Sequence, residues 1–262
     1  MITGGARDPA LAWRQVVEPC ERRRIPWAAV FGNHDDEGSL SRQELMRVQR
    51  SMEWCLSEPG PPEVSGVGNY VLPLFSATEE DRPAALLYFL DSNSYAETTI
   101  GGYGWFRRDQ IAWYVGESLR WQQQVCRRLP ALAFFHIPLP EYNEVWDEHP
   151  CYGYKFEAIC CPKINTGLFA AFHEMGDVIG TFVAHDHIND FCGELHGIWL
   201  CYGRASGIGT YGKEGFPRGA RVIRLHEGER RFETWLRLDG GEKVAQQPLH
   251  EPAGRVLSET YP

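Results

Sequence analysis

The chain has 262 residues, 43% of them hydrophobic and 23% charged, and carries a formal net charge of −9. Such values fit an ordinary globular chain long enough for one large domain; no apolar run is long enough to cross a bilayer, and no signal-peptide pattern opens residues 1–13, which leaves the compartment undecided. The acidic balance, without a basic tract, argues against long nucleic acid or an anionic membrane as a partner, so an anionic substrate needs a local positive centre, which a metal ion would supply.

In chain order, Asp8 before Pro9 is an N-cap with proline at the first helical position, and it predicts a helix to about Arg24 with a kink or split at Pro19. "IPWAAVF" (25–31) reads as a buried strand stopping at Gly32. Ser41 and Glu44 form a capping box, with Leu40 and Leu45 at hydrophobic-staple positions, for a helix to about Trp54. "NYVLPLF" (69–75) predicts a strand with an edge-type proline, and "AALLYFLDSN" (84–93) a strand buried on both faces. A helix starts near Arg107, and "ALAFFHIPLPEY" (131–142) is a buried strand that ends at His136. Residues 140–165 read as an irregular excursion. "GLFAAFHEM" (167–175) is a short helix and "DVIGTFVAHDH" (177–187) the next buried strand. "GIWLCYG" (197–203) follows, and "ARVIRLHEGERRFETWLRL" (220–238) is a hairpin turning at Glu227 and Gly228. Residues 240–262 read as a loose tail.

Eight cysteines are scattered along the chain. None forms a CxxC pair, so a zinc ribbon is unsupported; Cys192 and Cys201 could bridge, but reduced buried cysteine is the blander reading. The histidines are more pointed. Three apolar runs end in VF-GNH, FF-H and FVA-HDH, and in open α/β sheets ligands bind outside the carboxyl ends of strands. The endings bring Asn33, His34, His136, His185 and His187 to one place, with the two-residue spacing of His185 and His187 aiming both rings to one side of an extended backbone. Imidazole nitrogens with an amide oxygen suit Fe, Mn, Zn, Co or Ni rather than calcium. An open histidine-rich site of this kind points to metal-assisted hydrolysis. A mononuclear oxygenase would want two histidines and a carboxylate on one face, and it has no use for the GNH turn. His149, His173, His196, His226 and His250 read as ordinary surface residues.

GNHD at 32–35, His136 in "FFHIP" and AHDH at 184–187 resemble the later motifs of calcineurin-like metallophosphoesterases, with Ala184 where that family usually has glycine. "LLYFLDSNSY", "INTGLFAAF", "HDHINDFCG", "LCYGRASGIGTYG" and "PRGARVIRL" are similar to its purple-acid-phosphatase-like branch, so the resemblance covers nearly the whole chain. It implies an α/β metallophosphoesterase-type β-sandwich of two mixed sheets flanked by helices, lacking the first strand or strands, as a single domain over 1–262 incomplete at its N-terminus. By resemblance, Asn33, His136 and His185 bind a second metal and His187 a first, the ions being Fe, Mn or Zn. His34 faces the scissile phosphate as stabiliser or general acid, and Asp35 orients its imidazole. A metal-bound hydroxide attacks phosphorus in a small phosphorylated substrate, with no nucleic acid or membrane partner expected.

The family's early DxH and G-D motifs, the latter carrying the bridging aspartate, do not occur, and the chain is expected to begin just past them. Two dications about 3.5–4 Å apart repel by on the order of 20 kcal/mol at an effective dielectric near 20. The four ligands named above are neutral, and Asp186, between two histidines, is expected to point away from their side. The expectation is therefore at most one metal and impaired hydrolysis, the alternative being a non-catalytic remnant that binds a phosphorylated ligand or protein partner. Strand "WAAVF" is expected to keep an open apolar edge prone to association.

Overall fold

A computed structural model of the chain describes residues 2–252. Helix α1 (Pro9–Arg23) starts where Asp8 accepts the Leu11 amide proton and ends at Arg24 in the left-handed region. Helix α2 (Arg42–Arg50) has the full reciprocal cap between Ser41 and Glu44, and it stops at Arg50 rather than running to Trp54. Strands β1 (Tyr70–Phe75) and β2 (Pro83–Phe89), helix α3 (Arg108–Val125) and strand β3 (Ala131–Phe134) lie where periodicity puts them. The stretch read as irregular contains helix α4 (Glu141–Glu148) and strand β4 (Cys151–Tyr152). Then come α5 (Leu168–Met175), β5 (Val178–Val183), β6 (Cys192–Leu195), β7 (Ile198–Tyr202), β8 (Gly219–Leu225), β9 (Phe232–Leu238), β10 (Lys243–Val244) and β11 (Leu249–His250).

Eight strands form one mixed sheet in the order β1-β2-β3-β5-β7-β6-β4-β11, and a three-stranded antiparallel sheet runs β10-β9-β8. Strands β2, β3, β5 and β7 are parallel neighbours. The α/β sandwich expected from the resemblance is thus present, its smaller sheet being antiparallel rather than mixed. One face of the large sheet packs on α3, α4 and α5 through Leu86, Tyr114, Ala133, Phe172 and Leu200. The other face meets the small sheet, where Leu132, Ile179 and Phe182 touch Ile223, Leu225 and Phe232. A third cluster joins α1 and α2 through Trp13, Val17, Leu45 and Met46 to Phe31.

Two sequence expectations change. "IPWAAVF" is extended but is not a strand: it makes one isolated bridge, Trp27 with Cys55. Side chains meet the backbone at Ala29, where Ser57 Oγ accepts from the amide at 3.0 Å and Tyr70 OH donates to the carbonyl at 2.8 Å, while the Ile25 amide bonds the Cys20 carbonyl at 3.0 Å. The tail read as loose from 240 contributes β10, paired with β9, and β11, paired with β4; its remainder, 253–262, lies outside the described residues. All eight cysteines are free, with Cys192 opposite Cys201 across β6 and β7.

The sandwich interface leaves no spare volume at Gly180, where an added Cβ would come 2.7 Å from the Phe232 ring. Gly180→Ala is expected to cost about 1–3 kcal/mol in urea unfolding, and Phe232→Leu in the same chain should recover part of it. Strictly additive losses would contradict that packing.

Candidate metal centre

The site forms where the parallel strands end. Beyond Phe134 of β3 comes His136, whose carbonyl accepts from the Ala184 amide at 3.0 Å, and so the exits of β3 and β5 are fixed side by side. His136 also needs Gly32 beneath it, because a Cβ there would approach the imidazole to 2.9 Å. The Asn33 carbonyl accepts from Ser94 Oγ at 2.8 Å, and its amide nitrogen donates to Tyr95 OH at 3.0 Å. With Nδ2 committed to that tyrosine, Asn33 Oδ1 faces His136 Nε2 at 3.1 Å, and His185 Nδ1 lies 3.3 Å from the same nitrogen.

A buried ion pair underlies this geometry. The Arg42 guanidinium meets Asp91, at the exit of β2, and also donates to the Gly32 carbonyl at 2.9 Å. Burial opposes the Arg42 charge, but Asp91 and Asp36 together hold its pKa above the ordinary value. Asp91 is in turn fixed by the Val67 amide at 2.7 Å, over Gly66, whose φ of +86° and a Cβ clearance of 2.9 Å to the carboxylate both require glycine. The GNH turn is thereby tied to the sheet.

Asn33 Oδ1, His136 Nε2 and His185 Nδ1 are three lone-pair donors brought together with little else to satisfy them. Ligands about 2.0–2.1 Å from a tetrahedral zinc ion sit about 3.3 Å apart, close to the separations seen. The residues therefore fit a cation of the first transition series. Burial, then the His185 charge, keep His136 well below the usual imidazole pKa, so it is neutral and free to ligate. His185 occupies the left-handed region at φ 73°, a strained turn instead of the extended backbone assumed from the two-residue spacing.

His187 lines the same cavity of about 350 Å³. Its Nδ1 meets Thr210 Oγ1 at 2.8 Å and its ring stacks on Tyr211. Among the described residues no hydrogen bond or ring contact joins it to His136 or His185. His34 also faces this cavity, and the expectation that Asp35 orients it is corrected. Asp35 turns inward, accepting from Thr3 Oγ1 at 3.0 Å and from the Gly32 amide at 2.9 Å. Glu37 holds His34 Nδ1 at 2.7 Å, helped by Tyr95 OH at 3.2 Å. The His34 hydrogen bond keeps the Glu37 carboxyl below its usual range. An i, i+3 spacing within "HDDE" was the available signal for this pair.

Asp186 does not point away. Its carboxylate lies within 4.8 Å of a His185 nitrogen and of Cys160 Sγ. It accepts from Tyr202 OH at 2.6 Å and from the Cys160 amide at 3.1 Å, and burial pushes its pKa up to about 6. Of the other histidines, His250 is not merely superficial: it stacks on Trp146, with Nε2 2.9 Å from that residue's carbonyl.

No family model matches the chain. It is 36% identical over 245 residues to "Probable inactive purple acid phosphatase 29" of Arabidopsis thaliana, covering 84% of this chain and 63% of that protein. With "Probable inactive purple acid phosphatase 28" of the same plant it shares 35% identity over 277 residues, covering 95% and 69%. With "Phosphatase DCR2" of Saccharomyces cerevisiae it shares 35% over 260 residues, covering 90% and 43%. The chain thus spans about two thirds or less of the length of these relatives. A crystal structure of a dimetal phosphatase from Danio rerio has the same fold, with a TM-score of 0.57 at 12% identity over 92% of this chain and 78% of that one.

Burial, then the His187 and His34 rings, push His185 down to about 4 from 6.5. The unfolded chain therefore takes up this proton first, and stability falls as pH drops from about 6.5 to 4. Asp186 acts with the opposite sign, since below about 6 the folded state binds its proton more readily. Comparing metal-free chain with His185→Gln isolates the histidine: the parent is expected to lose on the order of 2–3 kcal/mol more across that window. Parallel stability curves in urea would contradict it.

Proposed function

The chain belongs to the purple acid phosphatase-like proteins of the calcineurin-like metallophosphoesterase superfamily, and from that premise we propose that it is a metal-dependent phosphoric ester hydrolase working with one cation. The reading rests on one observation, the meeting of Asn33 Oδ1, His136 Nε2 and His185 Nδ1 at 3.1 and 3.3 Å. Those three residues would hold the ion, with His187 lining the same cavity. When bound, the cation supplies Lewis acidity to a phosphoryl oxygen and lowers the pKa of water.

The chain's own residues account for the rest. Glu37 and Tyr95 fix His34 through Nδ1, which leaves Nε2 for the cavity. From there the ring N–H donates to a phosphoryl oxygen or passes its proton to the departing alkoxide or phenoxide. Because Asn33, His136, His185 and His187 carry no negative charge, a second dication close by has nothing among them to offset the repulsion. Substrates are small phosphorylated molecules, in keeping with the net charge of −9.

Metal content by plasma emission, with hydrolysis of p-nitrophenyl phosphate and of its bis ester, tests the proposal on the 262-residue chain. The expected result is about one Mn²⁺ per chain, an ion that the nitrogen and oxygen donors suit. His136→Ala should weaken binding by more than the ~10–100-fold that losing a merely orienting group costs. His34→Ala should leave metal content intact and lower kcat by ~10²–10⁴-fold. Two tightly held ions, or turnover indifferent to both substitutions, would overturn it. Phosphate binding without turnover would favour the second reading, a non-catalytic phosphoryl-binding site, which the neutral donor set also allows.

A further inference from the structure

The cavity contains a second donor group with different chemistry. Among the described residues, Cys160, His185 and Asp186 are the one group of three His, Cys, Asp or Glu side chains whose ligand atoms all lie within 4.8 Å of one another. All three line the cavity that contains Asn33 and His136. We propose that Cys160, His185 and Asp186 form a binding site for a thiophilic dication, of the class of Zn²⁺, Co²⁺ or Cd²⁺. The proposal goes beyond the hydrolase reading and does not rest on it.

Three observations support it. First, the group is pre-assembled: the Cys160 amide donates to Asp186 Oδ2 at 3.1 Å, and Tyr202 OH donates to the same oxygen at 2.6 Å. Oδ1 receives the longer contact from the Cys160 amide, at 3.4 Å, and is the oxygen left to ligate. Second, the charge is right. A thiolate and a carboxylate together neutralise a dication, which Asn33, His136 and His185 do not, and neutralisation lowers the cost of holding an ion in a half-buried place. Loading releases the thiol proton, and the carboxyl proton where Asp186 carries one, to solvent, with no redox change. Third, the donor set is that of an open site. One sulfur, one nitrogen and one oxygen leave a fourth tetrahedral position for water or an anion from the cavity. Thiolate softness separates the ions, with Zn²⁺, Co²⁺ and Cd²⁺ preferred over Mn²⁺ or Mg²⁺.

Tetrahedral ligands at about 2.0–2.3 Å sit about 3.3–3.6 Å apart, so loading draws the three side chains inward. Cys161 makes the natural control. It is adjacent in sequence but is not among the residues lining the cavity, and its sulfur accepts from Asn143 Nδ2 at 3.5 Å, whereas the Cys160 thiol donates to the Ala158 carbonyl at 3.7 Å. His185 belongs to both donor groups, so the two sites compete for it.

Cobalt titration of the metal-free 262-residue chain, followed by absorbance, tests the site without recourse to activity. A sulfur-to-cobalt charge-transfer band is expected at about one equivalent. It should be lost in Cys160→Ser, reduced at least tenfold in apparent affinity in Asp186→Asn, and kept in Cys161→Ser and His136→Ala, with circular dichroism confirming that each variant is folded. Cobalt binding without the band, no binding at all, or a band that survives Cys160→Ser would overturn the proposal. Cobalt binding that lacks the band and is lost in His136→Ala would leave the hydrolase reading standing, whereas no binding at all would count against both.

Discussion

The ion pair between Arg42 and Asp91 is the constraint from which the site follows. Asp91 ends β2 inside the molecule, 1% exposed, and Arg42 opens α2 at 8%. One guanidinium reaches both the carboxylate and the Gly32 carbonyl, so a helix start, a strand end and the GNH turn are held as one body. Removing either charge leaves the other buried and uncompensated, at a cost of about 3–5 kcal/mol, and it frees the turn that carries Asn33. Gln110 reinforces the same point from α3, donating to the Asp91 carbonyl at 2.7 Å.

Around this fixed turn the chain places neutral, weakly basic donors in one cavity. Burial holds both His136 and His185 deprotonated, seconded by the His185 charge at His136 and by the His187 and His34 rings at His185. A neutral imidazole has a free nitrogen lone pair with which to ligate an ion. The carboxylates near the site are mostly committed: Asp91 to Arg42, Asp35 to Thr3 and Gly32, Glu37 to His34. Asp186 alone sits beside a ligand nitrogen and a thiol, which is why the charge able to neutralise a cation lies on the Cys160 side of His185.

How far the sequence reached depended on the range of each signal. Local ones were readable: Asp8 and Ser41 as caps, and the apolar runs of β2, β3 and β5 as buried strands, which pair in parallel in the structure. "IPWAAVF" has the same composition as those runs but no neighbour to pair with along its length, and composition does not encode neighbours. Helix α4 was hidden by Pro138 and Pro140 before it, and β6 by its length and its glycine. At the site, the meeting of Asn33, His136 and His185 was legible because each closes a strand-like run. The i, i+3 spacing of His34 and Glu37 was a signal for that pair, but the choice of Glu37 over Asp35 depends on how the turn rotates against Thr3. Arg42 carried no motif at all, and its role exists only through a contact spanning 49 residues.

Anomalous diffraction at the manganese edge, on crystals of the 262-residue chain soaked in Mn²⁺, tests the central claim most directly. Manganese prefers the nitrogen and oxygen set over the thiol. The expected result is one peak bonded to Asn33 Oδ1, His136 Nε2 and His185 Nδ1, above an intact Arg42–Asp91 pair. A peak elsewhere, or Asn33 refined with its amide turned away from His136, would contradict the account.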